Sequence, residues 1–172
     1  RFANAYAPSD VKLCYNDYNE YWDAEGHLKT TAIETLVKAV QKGTEETVNG
    51  SSVKPRIDVV AMQSHVGTSW PGTSVLKRFL ALGCAVHVSE LDFSAETQED
   101  ATKAYGEYFK LLQKYGKNYS GTNKVTNVTI WGINNETSWI NPASDGGIKT
   151  YPLLFNLDNK VVVITGAGGV IC

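Results

Sequence analysis

The sequence predicts an α/β protein made of four strand-then-helix steps around a parallel sheet. Three observations lead there. Short, nearly continuous apolar runs recur along the 172 residues, the segments between them keep apolar residues at helical spacing, and the runs end in polar clusters. Parallel strands need crossover connections and are covered by helices, so their sequences read as apolar throughout. The first strand is expected at Val11-Lys12-Leu13-Cys14-Tyr15. A helix follows over 28–42, where Ile33, Leu36, Val37 and Val40 keep helical spacing and Gly43 supplies the stop. A second strand, Ile57 to Met62, leads to a short helix near 73–82 that Gly83 ends. The third strand, Ala85 to Ser89, runs into Glu90. Thr97 with Asp100 three residues on is a helix-start signal, and Ala101, Ala104, Tyr105, Tyr108, Phe109 and Leu112 form the next apolar stripe before Gly116. Asn127 to Trp131 is the fourth strand. Residues 44–56, polar and containing Gly and Pro, read as a surface insertion on the helix-to-strand side.

Composition narrows the partners. Hydrophobic residues at 42% and charged residues at 20% suit one globular domain with a real core. A formal charge of −2 and scattered Lys and Arg supply no field for a polyanion, so no nucleic-acid partner is expected. No apolar run reaches the roughly 18 residues of a membrane span, and no N-terminal stretch resembles a signal peptide. Cys14, Cys84 and Cys172 are odd in number and lack metal-type spacing. Buried thiols are therefore expected in preference to a disulfide or a zinc site, and no metal is expected.

Glu90, in Val86-His87-Val88-Ser89-Glu90-Leu91-Asp92, is the principal candidate for chemistry, because a carboxylate at the C-terminal end of a short apolar strand is where an α/β barrel carries a catalytic group. The other polar clusters fall at equivalent strand ends: Tyr15-Asn16-Asp17-Tyr18-Asn19, Gln63-Ser64-His65, and Trp131-Gly132 with Ser138-Trp139. Four strand ends converge on one cleft. Trp22 and Trp70 lie outside these clusters and are expected to pack or to sit on the surface.

Those clusters, in that order and together with Pro152-Leu153-Leu154-Phe155, resemble glycoside hydrolase family 10, chiefly endo-β-1,4-xylanases, over about residues 2–157. The resemblance implies a (β/α)8 TIM barrel of which residues 1–158 would be the half equivalent to strands five to eight. It also implies xylan or xylo-oligosaccharides as ligand, no cofactor, and a secreted location. Retaining hydrolysis uses two carboxylates about 5 to 5.5 Å apart. Glu90 matches the nucleophile, while the family's acid/base belongs to the fourth strand and is expected upstream of residue 1. Asn19-Glu20 and Asn135-Glu136 share a dipeptide with the acid/base motif but belong to other motifs. By the same resemblance Gln63 and His65 surround the nucleophile and the sugar beside the cleaved bond. Trp131 and Trp139 are cleft walls whose rings cover sugar faces, and Asn16, Tyr18 and Asn19 contact substrate or fix the acid/base region. Asp17 is read equally as a site residue or as a purely structural one. A non-catalytic xylan-binding module is the alternative reading.

Two departures from the family pattern stand out. Asn135 replaces a common aspartate, and residues 159–172 replace the usual continuation into a final helix. That tail, Lys160-Val161-Val162-Val163-Ile164-Thr165-Gly166-Ala167-Gly168-Gly169, resembles the first strand and glycine-rich turn of a short-chain dehydrogenase, and is expected to form an extra strand rather than a nucleotide site. A half barrel is expected to expose two strand edges and an apolar interior, and so to associate, either as a homodimer or with a complementary N-terminal half-barrel.

Overall fold

The computed structural model describes residues 2–8, 10–21, 23–24, 27–70, 72–141 and 150–154. A short helix α1 (Phe2–Tyr6) precedes strand β1 (Cys14–Asp17), the two-residue strands β2 (Asp23–Ala24) and β3 (His27–Leu28), and helix α2 (Lys29–Gln41). Next come a hairpin of β4 (Glu46–Val48) and β5 (Ser51–Val53), strands β6 (Val59–Met62) and β7 (His65–Gly67), and helix α3 (Thr73–Leu80). Strand β8 (Ala85–Ser94), helix α4 (Gln98–Lys114) and strand β9 (Val125–Ile130) complete the order, followed by a single 3-10 turn at Asn135–Thr137.

The sheet is the expected α/β arrangement: β1, β6, β8 and β9 are neighbours in that order and every pair is parallel. The fold is a portion of a TIM barrel. β6 and β7 form one path along β8, interrupted at Gln63-Ser64. Met62 faces Val88 but His65 faces Asp92, so β8 accommodates one extra residue between those pairings. Such a bulge lets a strand re-aim its side chains. Val86 and Val88 lie in the hydrophobic core, and so do Leu91 and Phe93. The inward parity therefore changes across Ser89-Glu90, and both of these residues face away from the helices.

The first strand begins later than expected. Val11 belongs to a turn in which its N–H donates to Pro8 O at 3.1 Å, and the Leu13 N–H is taken by the Asp58 carboxylate at 2.8 Å. The ladder starts only where Cys14 meets Val59. The 44–56 connection folds on itself as the β4–β5 hairpin, with Asn49 at φ +51° and Gly50 at φ +81°, the positive pair that a two-residue hairpin turn demands. Helix α4 starts as its sequence signal indicates: Thr97 Oγ1 accepts from the Asp100 N–H at 3.1 Å. Arg78 on α3 grips Glu34 on α2 through two 2.9 Å bonds and reaches Asp23 at 2.7 Å, locking two helices and the β2–β3 ladder together.

The core lies between sheet and helices. Val60, Met62, Val86, Val88 and Leu91 meet Ile33, Val37, Leu76, Phe79, Tyr105 and Tyr108 there. The opposite face corrects the expectation of an apolar interior. Asn16, Ala61, His87 and Asn127 form one register row across it, with Cys14 and Ser89 on the same side. Strand alternation sends the large apolar residues to the helices and leaves small and polar ones opposite, Val59 excepted. Cys14 is consequently exposed rather than a buried thiol, whereas Cys84 is buried. Trp22, Phe155, Cys172 and the whole 159–172 tail with its expected strand lie outside the described residues. No helix among the described residues is long and apolar enough to cross a membrane.

Phe79 is fully buried at the centre of this core. Phe79→Ala is expected to lower the unfolding free energy by about 3 to 5 kcal/mol in urea titration, while Leu36→Ala, at an exposed position of α2, changes it by less than about 0.5 kcal/mol.

Candidate active site

The polar clusters of β1, β6–β7, β8 and the β9 loop meet at the C-terminal end of the sheet, the end at which parallel α/β sheets build their sites. Each Glu90 oxygen has its own donor. Asn16 Nδ2 donates to Oε1 at 3.2 Å, and His65 Nε2 lies 3.3 Å from Oε2. Asn16 is itself oriented by the Ser89 hydroxyl, which donates to its Oδ1 at 2.8 Å. Gln63 takes part through its backbone: its carbonyl accepts the Glu90 N–H at 3.1 Å and its N–H donates to Asp17 O at 3.0 Å.

Behind the histidine stands a second carboxylate. Asp92 is fully buried and lies 2.8 Å from His65 Nδ1, and its other oxygen accepts the Trp139 indole N–H at 2.7 Å. Burial pushes the His65 imidazole down, but the bonds and charges of Asp92 and then Glu90 outweigh it, so its pKa is raised. A ring with a carboxylate at each nitrogen is satisfied only when both nitrogens carry protons. Trp139 lies edge-on to His65 with ring centroids 5.0 Å apart, and Trp131 does so at 6.4 Å. They remain 58% and 45% exposed, which leaves ring surface open to a ligand.

Tyr18 and Asn19 do not join this constellation in the described contacts. Tyr18 is exposed, with Lys29 Nζ 4.7 Å from its ring centre, and Asn19 turns the chain at φ +50°. The Asp17 carboxylate accepts from the Tyr15 hydroxyl and the Tyr18 N–H, and pairs with Lys29 at 2.8 Å. Burial raises its pKa, but Lys29, Tyr15 and Tyr18 together hold it below the usual value. Asp17 thus ties β1 to α2. Asn135 is buried and structural: its Oδ1 accepts the Leu153 N–H at 2.8 Å and its carbonyl accepts Asn141 Nδ2 at 2.9 Å. Trp70 packs edge-on against Tyr108 at 4.6 Å. Asp92 and Ser89 are the site members that the sequence reading left without a role. The available signal was a second carboxylate two residues past Glu90, set between the apolar Leu91 and Phe93, which burial would force to find a partner. Among the described residues no group of three or more His, Cys, Asp or Glu side chains could hold a metal ion.

Comparison with known proteins supplies the family. The model of the family described as glycosyl hydrolase family 10 matches residues 1–161. The chain belongs to glycosyl hydrolase family 10. It is similar to the endo-1,4-beta-xylanase Y of Acetivibrio thermocellus, 31% identical over 169 residues, a match covering 92% of this chain and 14% of that protein. It is also similar to a beta-1,4-xylanase of Dictyoglomus thermophilum, 30% identical, covering 88% of this chain and 43% of the other. Among solved structures, the CBM22-1 and GH10 modules of Clostridium thermocellum xylanase 10B, complexed with xylohexaose, superpose with a TM-score of 0.72 at 30% identity, over 93% of this chain and 29% of that one. The chain thus spans less than half the length of these relatives.

Glu20 sits beneath the site, fully buried, and burial pushes its carboxyl from an ordinary 4.5 up to about 7. A raised acid pKa means that the folded state holds the proton longer than the unfolded chain, so stability falls as pH rises through the window from about 4.5 to 7. Glu20→Gln removes that titration. In urea unfolding across pH 4 to 8 the variant is expected to gain on the parent chain by up to about 3 kcal/mol between pH 4.5 and 7, with a constant difference on either side.

Proposed function

We propose that this chain carries the nucleophile side of a retaining endo-β-1,4-xylanase site, with Glu90 attacking the anomeric carbon of xylan. The observation that carries the reading is the pair of donors on Glu90, Asn16 at 3.2 Å and His65 at 3.3 Å, with Asp92 anchoring the histidine from behind. The two donors fix the orientation of the Glu90 carboxylate for attack, and His65 is held between two carboxylates at once. Trp131 and Trp139 wall the cleft and present ring surface to sugar faces, and Gln63, Tyr18 and Asn19 border the same strand ends.

Retaining chemistry needs a second carboxylate about 5 to 5.5 Å away to protonate the leaving oxygen and then activate water. Asp92 and Glu20 are both fully buried and engaged, so neither reaches a glycosidic oxygen. Following the family resemblance, which puts the acid/base on a preceding strand, this reading has it supplied by residues outside these 172, on the same polypeptide or on a partner, and the 172-residue chain alone is expected to turn over xylan at background rates. The sheet is consistent with such a partner: among the described strands β1 pairs only with β6 and β9 only with β8, leaving two edges for a second copy or a complementary half-barrel. A secreted location belongs to the same proposal. The exposure of both tryptophans supports a second reading, a xylan-binding module without turnover.

A xylobioside bearing 2-fluorine and a dinitrophenolate leaving group separates the two readings, because that leaving group departs without protonation and the fluorine slows hydrolysis of the adduct. The expected result is a covalent sugar on the peptide containing Glu90, absent in Glu90→Gln. Tryptophan fluorescence that responds to xylohexaose with no adduct at Glu90 would instead establish the binding module. In light scattering the chain is expected to run as a dimer, and a stable monomer counts against obligatory association.

A further inference from the structure

We propose that Glu20 is a positioning residue for the Glu90 site: its carboxylate clamps Ser64 in the left-handed backbone conformation that separates β6 from β7 and sets His65 against Asp92 and Glu90. The proposal rests on the reading of Glu90 as the nucleophile, and it assigns a task to a group that the proposed chemistry does not use.

Ser64 stands at φ +61°, a conformation that costs a non-glycine residue roughly 1 kcal/mol or more and persists only where its surroundings impose it. The surroundings are specific. Glu20 Oε1 accepts both the Ser64 N–H, at 3.1 Å, and the Ser64 hydroxyl, at 3.2 Å. Because that hydroxyl proton is committed to Glu20, the Tyr108 hydroxyl 3.2 Å away donates to Ser64 Oγ. Glu20 is anchored in turn, since its carbonyl accepts the Thr30 hydroxyl of α2 at 2.6 Å. Glu20, Ser64 and Thr30 are fully buried, and Glu20 Oε2 has no partner. Burying a carboxyl with one oxygen unpartnered is costly, and an apolar side chain would fill the space at less expense.

What the clamp secures is the offset between β6–β7 and β8. The Gln63 and Ser64 carbonyls accept the N–H groups of Glu90 and Asp92, at 3.1 and 3.3 Å, from either side of the turn. If Ser64 relaxed to an extended conformation, the path from Met62 to His65 would straighten. His65 would then lose its place opposite Asp92.

The histidine ring reports the outcome directly. With ring-labelled histidine, of which the chain has three, the His65 Nδ1 proton bonded to Asp92 is expected as a downfield, slowly exchanging resonance. Glu20→Gln retains an acceptor oxygen and should keep that signal. Glu20→Met matches the side chain in size but offers only a weak thioether acceptor in place of the carboxylate, and should lose the signal while the His65 titration midpoint falls toward its ordinary 6.5. A folded Glu20→Met that keeps both would show that Glu20 only fills volume, and would overturn the proposal. If Glu20→Met does not fold, the double variant with Ser64→Gly decides, because glycine adopts positive φ without a clamp. Recovery of the fold supports the clamp, and failure to recover overturns it. No sugar enters this measurement, so its failure leaves labelling of Glu90 untouched, and failure of the labelling leaves the clamp standing.

Discussion

The bulge in β8 is the constraint on which the site depends. A strand alternates its side chains strictly, and continuing the Val86, Val88 series would send residue 90 into the core beneath α3 and α4. One additional residue against the β6–β7 path changes the parity, so that Ser89 and Glu90 emerge together on the ligand side while Leu91 and Phe93 return to the core. Ser89 then orients Asn16, and Asn16 meets Glu90. A single irregularity in register thus supplies both the carboxylate and the side chain that aligns its first donor.

The carboxylates around this bulge are separated by environment. Glu90 keeps access to solvent and takes two donors, whereas Asp92 is sealed behind His65 and Trp139 and acts only through them. A buried carboxylate that lost one of these partners would be left an uncompensated charge, at a cost of about 3 to 5 kcal/mol. Stability and chemistry therefore act on the same atoms: the network that keeps Asp92 tolerable also fixes the ring facing Glu90. Glu20 follows a different logic. Burial raises its pKa to about 7, outweighing the Ser64 backbone N–H and hydroxyl, which favour the ionised form, and no cation is in hydrogen-bond contact among the described residues.

Much of this was legible in the sequence, for reasons that differ by residue. The helices over 29–41 and 98–114 follow directly from apolar spacing and, for the second, from the Thr97 cap. Asn16, His65 and Trp131 lie at or beside strand ends, which parallel topology brings together, whereas Glu90, expected just past a strand ending at Ser89, lies within β8, which runs on to Ser94. The bulge does leave a mark, since the apolar positions change parity from Val86 and Val88 to Leu91 and Phe93, but a strand expected to end at Ser89 stops short of that change. The turn at Ser64 was hidden: serine carries no signal for positive φ, and its partner Glu20 is 44 residues away. The β4–β5 hairpin lies in a segment whose polarity marks it as a surface insertion, while its Asn49-Gly50 dipeptide is the signal for the turn. Asp17 was ambiguous from spelling, and only the placement of Lys29 at the start of α2 decides that its charge is spent on structure.

The distribution of polarity across the sheet bears on what the rest of a barrel contributes. All the large apolar side chains of β8 turn toward α3 and α4, so the helix side is packed without help from any further strand. The opposite face, with Asn16, Ala61, His87 and Asn127 in one row, has little apolar area with which to drive association. Whatever covers that face gains mainly from pairing the β1 and β9 edges and from satisfying polar groups, both of which are directional and set register before they add stability. Under the proposed retaining mechanism, docking of that kind suits a second carboxylate that must arrive within an ångström or so of a fixed separation from Glu90, because misplacement by that distance is enough to lose most of the advantage of holding two groups together.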